Sequence, residues 1–413
     1  MQYDLIVVGG GAAGFFGAIQ AATANGALRI AILEKTQKVL TKVKVSGGGR
    51  CNVTNACYNP FELARHYPRG EKMLKQSFRE YHATHVVDWF TARGVNLKTE
   101  EDGRMFPVTD DSQTIIDCFL REAIRLNIDV ERGAGVTAVL KKSDGTFTIH
   151  AADGRTWPCA SVLVAIGGHN NTELYNWIRA LGHTVAAPIP SLFTFNDKER
   201  RFKDLMGISV PLGEVRIAST KFSERGPVLI THWGLSGPAV IRLSAWAASY
   251  LHEQRYVFDV RVNWTGDTDI KCREALTEAK VSRAKQKIHA HPMFSVPQRL
   301  WVRLCELSEI QPQRIWGEVS NREINKLSEQ LLNTVLHISG KTTFKEEFVT
   351  CGGVELNEVN PSTLESKLVP ALYFAGEVLN IDGETGGFNF QAAWTTSYLA
   401  GKAIAAAHVR AYL

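Results

Sequence analysis

The apolar and polar positions near the N-terminus predict a strand, a helix and a second strand. The apolar run DLIVVG leads into glycines, a helical stretch follows from about Ala12 to Ala24, and a second apolar run, RIAILEK, contains Glu34. Strand, glycine turn, helix and strand in this order form one βαβ unit. This segment therefore predicts the first unit of a doubly wound parallel sheet.

Further elements of the same sheet are predicted between residues 71 and 166. Helical signals occur at about 71–93 and at Gln113–Leu126, where apolar residues recur at steps of three and four. Short alternating strands with hairpin turns fill 128–157 and predict an antiparallel meander. The fully apolar run Ser161–Ile166 predicts a buried parallel strand.

The pattern changes near Pro188 and changes back near Ala371. Residues 191–265 are rich in short alternating segments, and about 270–340 is mostly helical, so we place an inserted domain at 191–345. A strand at Ala371–Ala375 and a helix at about 390–407 return to the first domain. The prediction is an α/β protein with a discontinuous Rossmann-like domain, 1–190 and 346–413.

Composition narrows the class of protein. The 413 residues suffice for two domains, and a net charge of +5 is spread along the chain, which gives little support to a nucleic-acid surface. Seven scattered cysteines favour reduced thiols in the cytoplasm over a disulfide framework, and none has zinc-site spacing. We expect no metal, no signal peptide and no membrane span. The oligomeric state stays open.

A glycine fingerprint marks a dinucleotide site. Gly9, Gly11 and Gly14 have the GxGxxG spacing between the first strand and the helix, where a pyrophosphate binds the helix N-terminus. Glu34 ends the second strand 20 residues after Gly14, where an acid accepts hydrogen bonds from ribose hydroxyls. This pattern predicts a dinucleotide and leaves NAD and FAD as alternatives.

The far end of the sequence favours FAD. Tyr373–Glu377 reads as a strand that leads to an acid, and glycines at 386–387 precede the last helix. An acid in this place can bind ribityl hydroxyls, and the N-terminus of the following helix favours negative charge at the N1/O2 edge of a flavin. An enzyme that binds NAD alone does not need this second half. We therefore predict non-covalent FAD.

Several long strings resemble one bacterial family. They are KVKVSGGGRCNVTN at 42–55, GRMFP at 103–107, THWGLSGPA at 231–239, GGV at 352–354 and the run 372–391. Together they resemble the HI0933-like flavoproteins, also called YhiN/BaiN-type or the aminoacetone oxidase family. The resemblance spans nearly the whole chain, and it implies FAD, a β-barrel-like insert and a helical segment.

The resemblance also implies which residues lie at the FAD site. Carried over motif by motif, they are Gly9, Gly11, Gly14, Glu34, Lys42, Gly49, Arg50, Val136, Gly167, Gly376, Glu377, Asn389, Phe390 and Gln391. Their sequence neighbours complete the candidate set: Ala12, Ala13, Lys35, Gly48, Cys51 and Gly387. Within the set, Arg50 and the backbone of the glycine cluster are expected to contact the pyrophosphate or the ring carbonyls.

Two candidates for catalysis carry alternatives. Cys51 is either a thiol that reacts at the flavin or, as we prefer in the absence of a CxxC partner, a small packed residue. His232, in a turn of the insert, is either a proton donor that faces the flavin or a histidine held by backbone groups. Residues 169–174 lack the longer stretch usual in the family, so the substrate wall is expected to differ.

The predicted function is an FAD-dependent oxidoreductase that acts on a small organic molecule by hydride transfer at flavin N5. It is either an oxidase of a small amine or alcohol, or a reductase that takes hydride from NAD(P)H, since a second GxGxxG is absent from the sequence. The alternative is an RNA-modifying or RNA-binding flavoprotein. Basic residues of the insert, such as Arg200 and Arg201, have few aromatics between them, so nucleic acid is the less favoured partner.

Overall fold

A computed structural model describes residues 2–342 and 349–410 of the chain. The strands are β1 (Tyr3–Val8), β2 (Ile30–Glu34), β3 (Thr54–Asn55), β4 (Leu97–Thr99), β5 (Arg104–Pro107), β6 (Asp129–Arg132), β7 (Val136–Lys141), β8 (Phe147–Ala151), β9 (Thr156–Val164), β10 (Val185–Ser191), β11 (Thr194–Asp197), β12 (Ser209–Ile217), β13 (Ser223–Ile230), β14 (Gly234–Ser236), β15 (Val257–Asn263), β16 (Thr334–Thr342), β17 (Val349–Val354) and β18 (Leu372–Phe374). The helices are α1 (Ala12–Ala24), α2 (Thr41–Val45), α3 (Pro60–Ala64), α4 (Glu71–Ser77), α5 (Ala83–Thr91), α6 (Gln113–Arg125), α7 (Asn176–Ala180), α8 (Pro238–Trp246), α9 (Ala248–Glu253), α10 (Asp269–Ser282), α11 (Gln298–Leu307), α12 (Asn321–Asn333) and α13 (Phe388–Arg410).

Two compact units divide the described residues. The first contains 2–191 and 349–410, and the second contains 192–342. The first boundary falls one residue after the predicted one, and the second predicted boundary, at 345–346, lies outside the described residues. The chain therefore enters the second unit once and returns to the first.

A seven-stranded mixed sheet forms the centre of the first unit. Its order is β6-β2-β1-β9-β8-β7, and β18 also pairs with β9. The pairs among β6, β2, β1, β9 and β18 are parallel, and β7-β8-β9 is antiparallel. Leu5, Ile6 and Val7 of β1 are fully buried, as a parallel strand covered on both faces requires. The predicted Rossmann-like fold is confirmed.

Two predictions for this sheet need correction. Residues 129–132 were expected in the antiparallel meander, but β6 lies parallel to β2, with Asp129 opposite Ala31. The strand expected at 161–166 is the second half of β9, which begins at Thr156 and pairs with β8 before it reaches β1. Strand direction depends on the partner, and the local pattern of residues does not specify the partner.

The helix expected at 71–93 is two helices. The first, α4, ends at Ser77, and the second, α5, begins only at Ala83. The start of α5 is capped by His82, whose ring accepts a hydrogen bond from the Thr84 N–H group at 3.4 Å. The His82 N–H group in turn donates to the His85 ring at 3.1 Å. A capped start satisfies N–H groups that an unbroken helix would bond internally, and so stabilises the break.

The second unit contains a closed barrel of order β11-β14-β13-β12-β15-β16. Its helices are inserted between barrel strands: α8 and α9 precede β15, and α10, α11 and α12 lie between β15 and β16. The barrel-like insert is thus confirmed. Helix was expected to about 340, yet β16 begins at Thr334, pairs with β15 over residues 334–339 and then with β11. Thr334 also accepts a hydrogen bond from the buried indole of Trp264 at 2.8 Å. This long-range partnership, which closes the barrel, overrides the helical pattern that precedes it.

Candidate functional site

Packing requires two of the three fingerprint glycines. At Gly9, where φ is +115°, an added Cβ would lie 2.4 Å from the carbonyl oxygen of Ala165. At Gly14 it would lie 1.9 Å from the carbonyl oxygen of Gly9. Both distances are far below any van der Waals contact, so these glycines allow β1, β9 and α1 to approach closely.

Packing does not explain Gly11. Its φ of −92° and ψ of −168° are open to any residue, and an added Cβ would meet no atom within 4 Å. Gly11 directly precedes the 13-residue helix α1, whose first turn contains no acid. The N–H groups of this helix end carry partial positive charge, so an anion is favoured there. A glycine at this point leaves room for a phosphate to reach the backbone, which fits the pyrophosphate of a dinucleotide.

Backbone groups fix the carboxylate of Glu34 beside this turn. Its Oε2 accepts a hydrogen bond from the Gly10 N–H group at 3.0 Å, and its Oε1 accepts one from the Thr36 N–H group at 2.9 Å. Ala134 donates its N–H to the Glu34 carbonyl at 2.8 Å, so the segment that leads to Val136 passes the end of β2. Lys35 is exposed at the same strand end. The structure therefore brings the segment just before Val136 beside Glu34 and Lys35, since a Cβ at Gly135 would lie 3.5 Å from that of Lys35.

Glu377 is the centre of a second polar group. Its Oε2 lies 2.7 Å from the Lys42 ammonium and accepts from the Gly168 N–H group at 3.2 Å, while its Oε1 accepts from the Thr350 N–H group at 2.8 Å. Burial acts to raise the pKa of Glu377, but Lys42 and the backbone donors outweigh it and hold the pKa below its ordinary value. The predicted residues Lys42, Gly167 and Glu377 thus meet, although 335 positions separate Lys42 from Glu377.

Arg50 is held by acids of its own neighbourhood. Its Nη1 lies 2.6 Å from Glu100 and 3.5 Å from Asp110, and its guanidinium stacks on the Phe106 ring with 3.9 Å to the centroid. The predicted contact to a pyrophosphate would therefore require Arg50 to compete with these carboxylates. Gly48 and Gly49 beside it have φ values of +69° and +87°.

The start of α13 is built around a second glycine turn. At Gly387, where φ is +95°, an added Cβ would lie 2.4 Å from the carbonyl oxygen of Thr54. The Asn389 side chain accepts from the Gly383 N–H group at 2.8 Å and donates to the Gly383 carbonyl at 3.0 Å, and so fixes the preceding loop. The Phe390 ring stacks on Trp394 at 5.4 Å. The N-terminus of a 23-residue helix is thereby held in place, and its first turn contains no acid.

Two predicted cofactor-site residues, Cys51 and Gln391, are fully enclosed by protein. Both are 0% exposed, so their place at the FAD site stays a prediction. Gln391 accepts from Thr54 Oγ1 at 2.6 Å and donates to Thr395 Oγ1 at 3.0 Å, which makes it a link between β3 and α13. Burial raises the pKa of the Cys51 thiol to about 12, against a hydrogen bond to Ser46. Cys51 is therefore the packed residue that the sequence favoured.

The remaining predicted positions fall into two groups. Ala12 and Ala13 form the first turn of α1, and Gly376 precedes Glu377 with a φ of +76°. His232 lies in the second unit, between β13 and β14, with an exposed ring 5.7 Å from that of Trp233. A catalytic role for His232 stays a prediction.

Sequence reasoning missed a group of polar residues near the start of α13. His66 Nδ1 lies 3.0 Å from Glu384 Oε2, and the His66 ring stacks on that of Phe388 at 4.1 Å. Arg69 forms a two-pronged ion pair with the buried carboxylate of Asp382. The acids of the string IDGETGG could have been singled out beside the glycine turn, but more than 300 positions separate their cationic partners from them.

Other site classes find no support among the described residues. In 2–342 and 349–410, no group of three His, Cys, Asp or Glu side chains is placed to hold a metal ion. No helix in these ranges is long and apolar enough to span a membrane. All seven cysteines are free thiols.

Residues 3–403 match the family described as HI0933-like protein Rossmann domain. The chain belongs to this family. The predicted resemblance is thus confirmed, and membership supports FAD as the cofactor and an FAD-dependent oxidoreductase as the class of enzyme.

Two curated relatives of this HI0933-like protein match over nearly their whole length. A 3-dehydro-bile acid delta(4,6)-reductase of Clostridium scindens is 28% identical over 419 residues, which cover 97% of this chain and 98% of the relative. A ribosomal RNA dihydrouridine synthase of Escherichia coli is 29% identical over 420 residues, with 98% and 99% covered.

Solved structures show the same fold at low identity. The 3-ketosteroid-delta4-(5alpha)-dehydrogenase of Rhodococcus jostii has a TM-score of 0.51 at 13% identity, with 98% of this chain and 97% of that chain covered. The 3-ketosteroid delta1-dehydrogenase of Sterolibacterium denitrificans has a TM-score of 0.51 at 13% identity, with 98% and 100% covered. These structures support the architecture of the HI0933-like chain and carry no argument about its substrate.

Proposed function

We propose that this HI0933-like protein is an FAD-dependent reductase whose substrate contains a C=C bond conjugated to a carbonyl group. Gly11 carries the cofactor part of the proposal, because a glycine that neither φ nor packing requires stands where a phosphate would reach the start of α1. FAD, when bound, would supply hydride at N5. The chain itself must bind the cofactor, orient the substrate and supply the proton that completes the reduction.

The described residues divide this work. The N-terminus of α1 and Gly11 would hold the pyrophosphate, and Glu34 would accept hydrogen bonds from the adenosine ribose. Glu377, kept ionised by Lys42 and two backbone donors, would accept from ribityl hydroxyls. The N-terminus of α13 would favour negative charge on the pyrimidine edge of the flavin.

The names of the relatives favour reduction over oxidation of an amine or alcohol. One is named for reducing a 3-dehydro-bile acid at positions 4 and 6, and the other for making dihydrouridine. Both names describe hydrogen added across a C=C bond near a carbonyl. We therefore place this chain in the reductase branch, with a small conjugated ketone as the first candidate substrate.

A second candidate substrate is a uridine of RNA. The curated relatives from Escherichia coli and Haemophilus influenzae bear that name and match 98% and 96% of this chain. Against it, two basic residues of the second unit are already paired with acids: Arg201 with Glu199 and Arg225 with Glu214. Each pairing would have to be given up before the arginine could bind a phosphate, at the small cost of a surface ion pair.

The test begins with the absorption spectrum of purified protein and the flavin that heat releases from it. We expect FAD. The bound flavin is then reduced in the absence of oxygen, in one set of samples by dithionite, NADH or NADPH and in a separate sample by aminoacetone. Each reduced sample is mixed either with a 3-oxo-4,6-diene bile acid or with unmodified ribosomal RNA. Re-oxidation by the bile acid supports the first candidate, and re-oxidation by RNA alone supports the second. A flavin that aminoacetone reduces and neither acceptor re-oxidises would contradict the proposal.

A further inference from the structure

Two cations and an imidazole of the second unit line one small pocket, here termed the Arg200 pocket. Arg200 and Lys203 come from the segment that follows β11, and His232 comes from the turn between β13 and β14, together with Thr231. The first three residues are exposed to solvent, and Thr231 is half-buried. Two turns that are separate in sequence therefore bring hydrogen-bond donors to one place on the barrel.

Hydrogen bonds around Asp197, the last residue of β11, hold these two turns together. Its N–H group donates to the carbonyl of Trp233 at 2.7 Å. Its carboxylate, which is buried, accepts from the N–H group of Glu199 at 3.1 Å and from that of Arg201 at 3.0 Å. The backbone of the pocket is thus fixed before a ligand arrives, so binding does not have to order it.

The acids near the pocket are already engaged. Glu199 Oε2 lies 2.7 Å from Arg201 Nε, and Asp204 Oδ2 lies 3.7 Å from Arg303 Nη2. Asp197 also lines the pocket, but its two oxygens accept from backbone N–H groups. Within residues 2–342 and 349–410, neither cation of the pocket has a carboxylate oxygen within 4 Å. The pocket therefore keeps a net positive charge that a ligand could meet.

The donors of this pocket suit a phosphate group. An arginine presents a fork of N–H donors that matches phosphate oxygens, and a lysine adds a compact charge with three donors. A threonine hydroxyl and an imidazole N–H can each donate one more hydrogen bond. We propose that the Arg200 pocket binds a phosphate group, which belongs either to a small molecule or to RNA.

This binding goes beyond the proposed function. The pyrophosphate of FAD is assigned there to the start of α1 in the first unit, whereas all residues that line the Arg200 pocket belong to the second unit. Binding of the phosphate group breaks or forms no covalent bond and transfers no electron. It can therefore be measured without turnover of the flavin.

The experiment compares Arg200→Gln/Lys203→Gln with wild type and with Lys271→Gln/Lys285→Gln, all saturated with FAD. Lys271 and Lys285 are exposed residues of the same unit that do not line the pocket, so the control removes the same charge. Inorganic phosphate replaces chloride at constant ionic strength, and calorimetry gives its dissociation constant. Loss of two charge-assisted contacts should raise this constant by about tenfold or more in the pocket variant, and by less than about twofold in the control.

The NMR signals of the His232 ring report where the phosphate binds. Phosphate should shift these signals in wild type and in Lys271→Gln/Lys285→Gln, and leave them unmoved in Arg200→Gln/Lys203→Gln. The variant Arg200→Lys keeps the charge and loses the fork, so its affinity should be intermediate. All these substitutions replace exposed side chains, so thermal unfolding in chloride should match that of wild type.

A single-stranded oligouridylate separates the two sources of the phosphate group. If it binds more tightly than inorganic phosphate, with an affinity that falls steeply as salt rises and that the pocket variant loses, the ligand is RNA. If inorganic phosphate binds and the oligonucleotide does not, the ligand is a small phosphorylated molecule. Either result supports the proposal.

Three results would overturn the proposal: wild type that binds neither probe, equal phosphate affinity in the two double variants, or phosphate binding that leaves the His232 signals of wild type unmoved. Each of them concerns binding to the second unit alone. Failure of the reduction under the proposed function would leave the phosphate site standing, and loss of the phosphate site would leave the reduction standing.

Discussion

Replacing Gly11 with alanine tests whether this glycine is kept for a ligand. The new Cβ would meet no protein atom within 4 Å, and a φ of −92° suits alanine. Alanine is a poorer N-cap than glycine, so the apoprotein should lose no more than about 1 kcal/mol of unfolding free energy. The fold should therefore survive this substitution.

FAD binding should respond far more strongly. A methyl group at Gly11 would push the pyrophosphate away from the start of α1 and remove at least one hydrogen bond to a charged group, worth about 1.5–3 kcal/mol. At about 1.4 kcal/mol for each factor of ten, the dissociation constant should rise by roughly 10–150-fold. Titration of apoprotein with FAD, followed by the quenching of flavin fluorescence, measures this change.

Two other glycines of the same segment serve as controls. Gly26→Ala, just after α1, places its Cβ 4.0 Å from the nearest atom, Ala22 O, and should leave both stability and FAD affinity unchanged. Gly14→Ala places its Cβ 1.9 Å from Gly9 O and should impair folding itself. If Gly11→Ala binds FAD as tightly as Gly26→Ala does, the glycine is not reserved for phosphate and the cofactor argument is refuted.

Three further predictions concern buried or partly buried charges. Glu377→Gln should lower the free energy of unfolding by about 1 kcal/mol at pH 7, a small loss because solvent screens the half-exposed ammonium of Lys42. The pKa of Glu377 is lowered in the folded state, so the stability difference between the variant and wild type, measured by urea unfolding, should shrink as the pH falls below 4.5, the ordinary pKa of a glutamate. Arg69→Leu leaves the buried Asp382 carboxylate without its cation and should lower the free energy of unfolding by about 3–5 kcal/mol. The double variant Arg69→Leu/Asp382→Leu should recover much of this loss in thermal unfolding, and equal stability of the single and double variants would contradict the prediction. Burial lowers the pKa of His183, so wild type should lose stability as the pH falls through 6.5 because the unfolded chain binds the proton there, and His183→Gln should lose less over the same range.

Local patterns were sufficient for the glycine turn and the helices around it. Strand, glycines and helix are neighbours in sequence, so the segment 3–34 could be read directly, and the boundaries of α1 agree with the prediction. Partners that are distant in sequence were not accessible in this way. Glu377 was expected at the site from its own strand, but Lys42 was named there through the family resemblance, their ion pair was not foreseen, and the pair His66 and Glu384 was missed.

Burial distinguishes two of the predicted site residues from the others. Cys51 and Gln391 lie within strings that resemble the family's FAD-site motifs, yet their side chains are fully enclosed. A motif marks a segment whose backbone passes a site, and alternate side chains of that segment point away from it. Which of them point away depends on packing across β3 and α13, and periodicity within the segment does not reveal it.

The two acids assigned to cofactor hydroxyls are positioned by the protein before any ligand arrives. Glu34 is bonded to the N–H groups of Gly10 and Thr36, and Glu377 to those of Gly168 and Thr350. A carboxylate has about four acceptor sites, so each acid keeps capacity for a hydroxyl donor without giving up its backbone bonds. Side chains already fixed in place lose little conformational entropy on binding. Each acid lies at or just after the end of a strand, where local sequence can mark it, but its backbone donors include groups from other segments: Gly10 for Glu34, and Gly168 and Thr350 for Glu377.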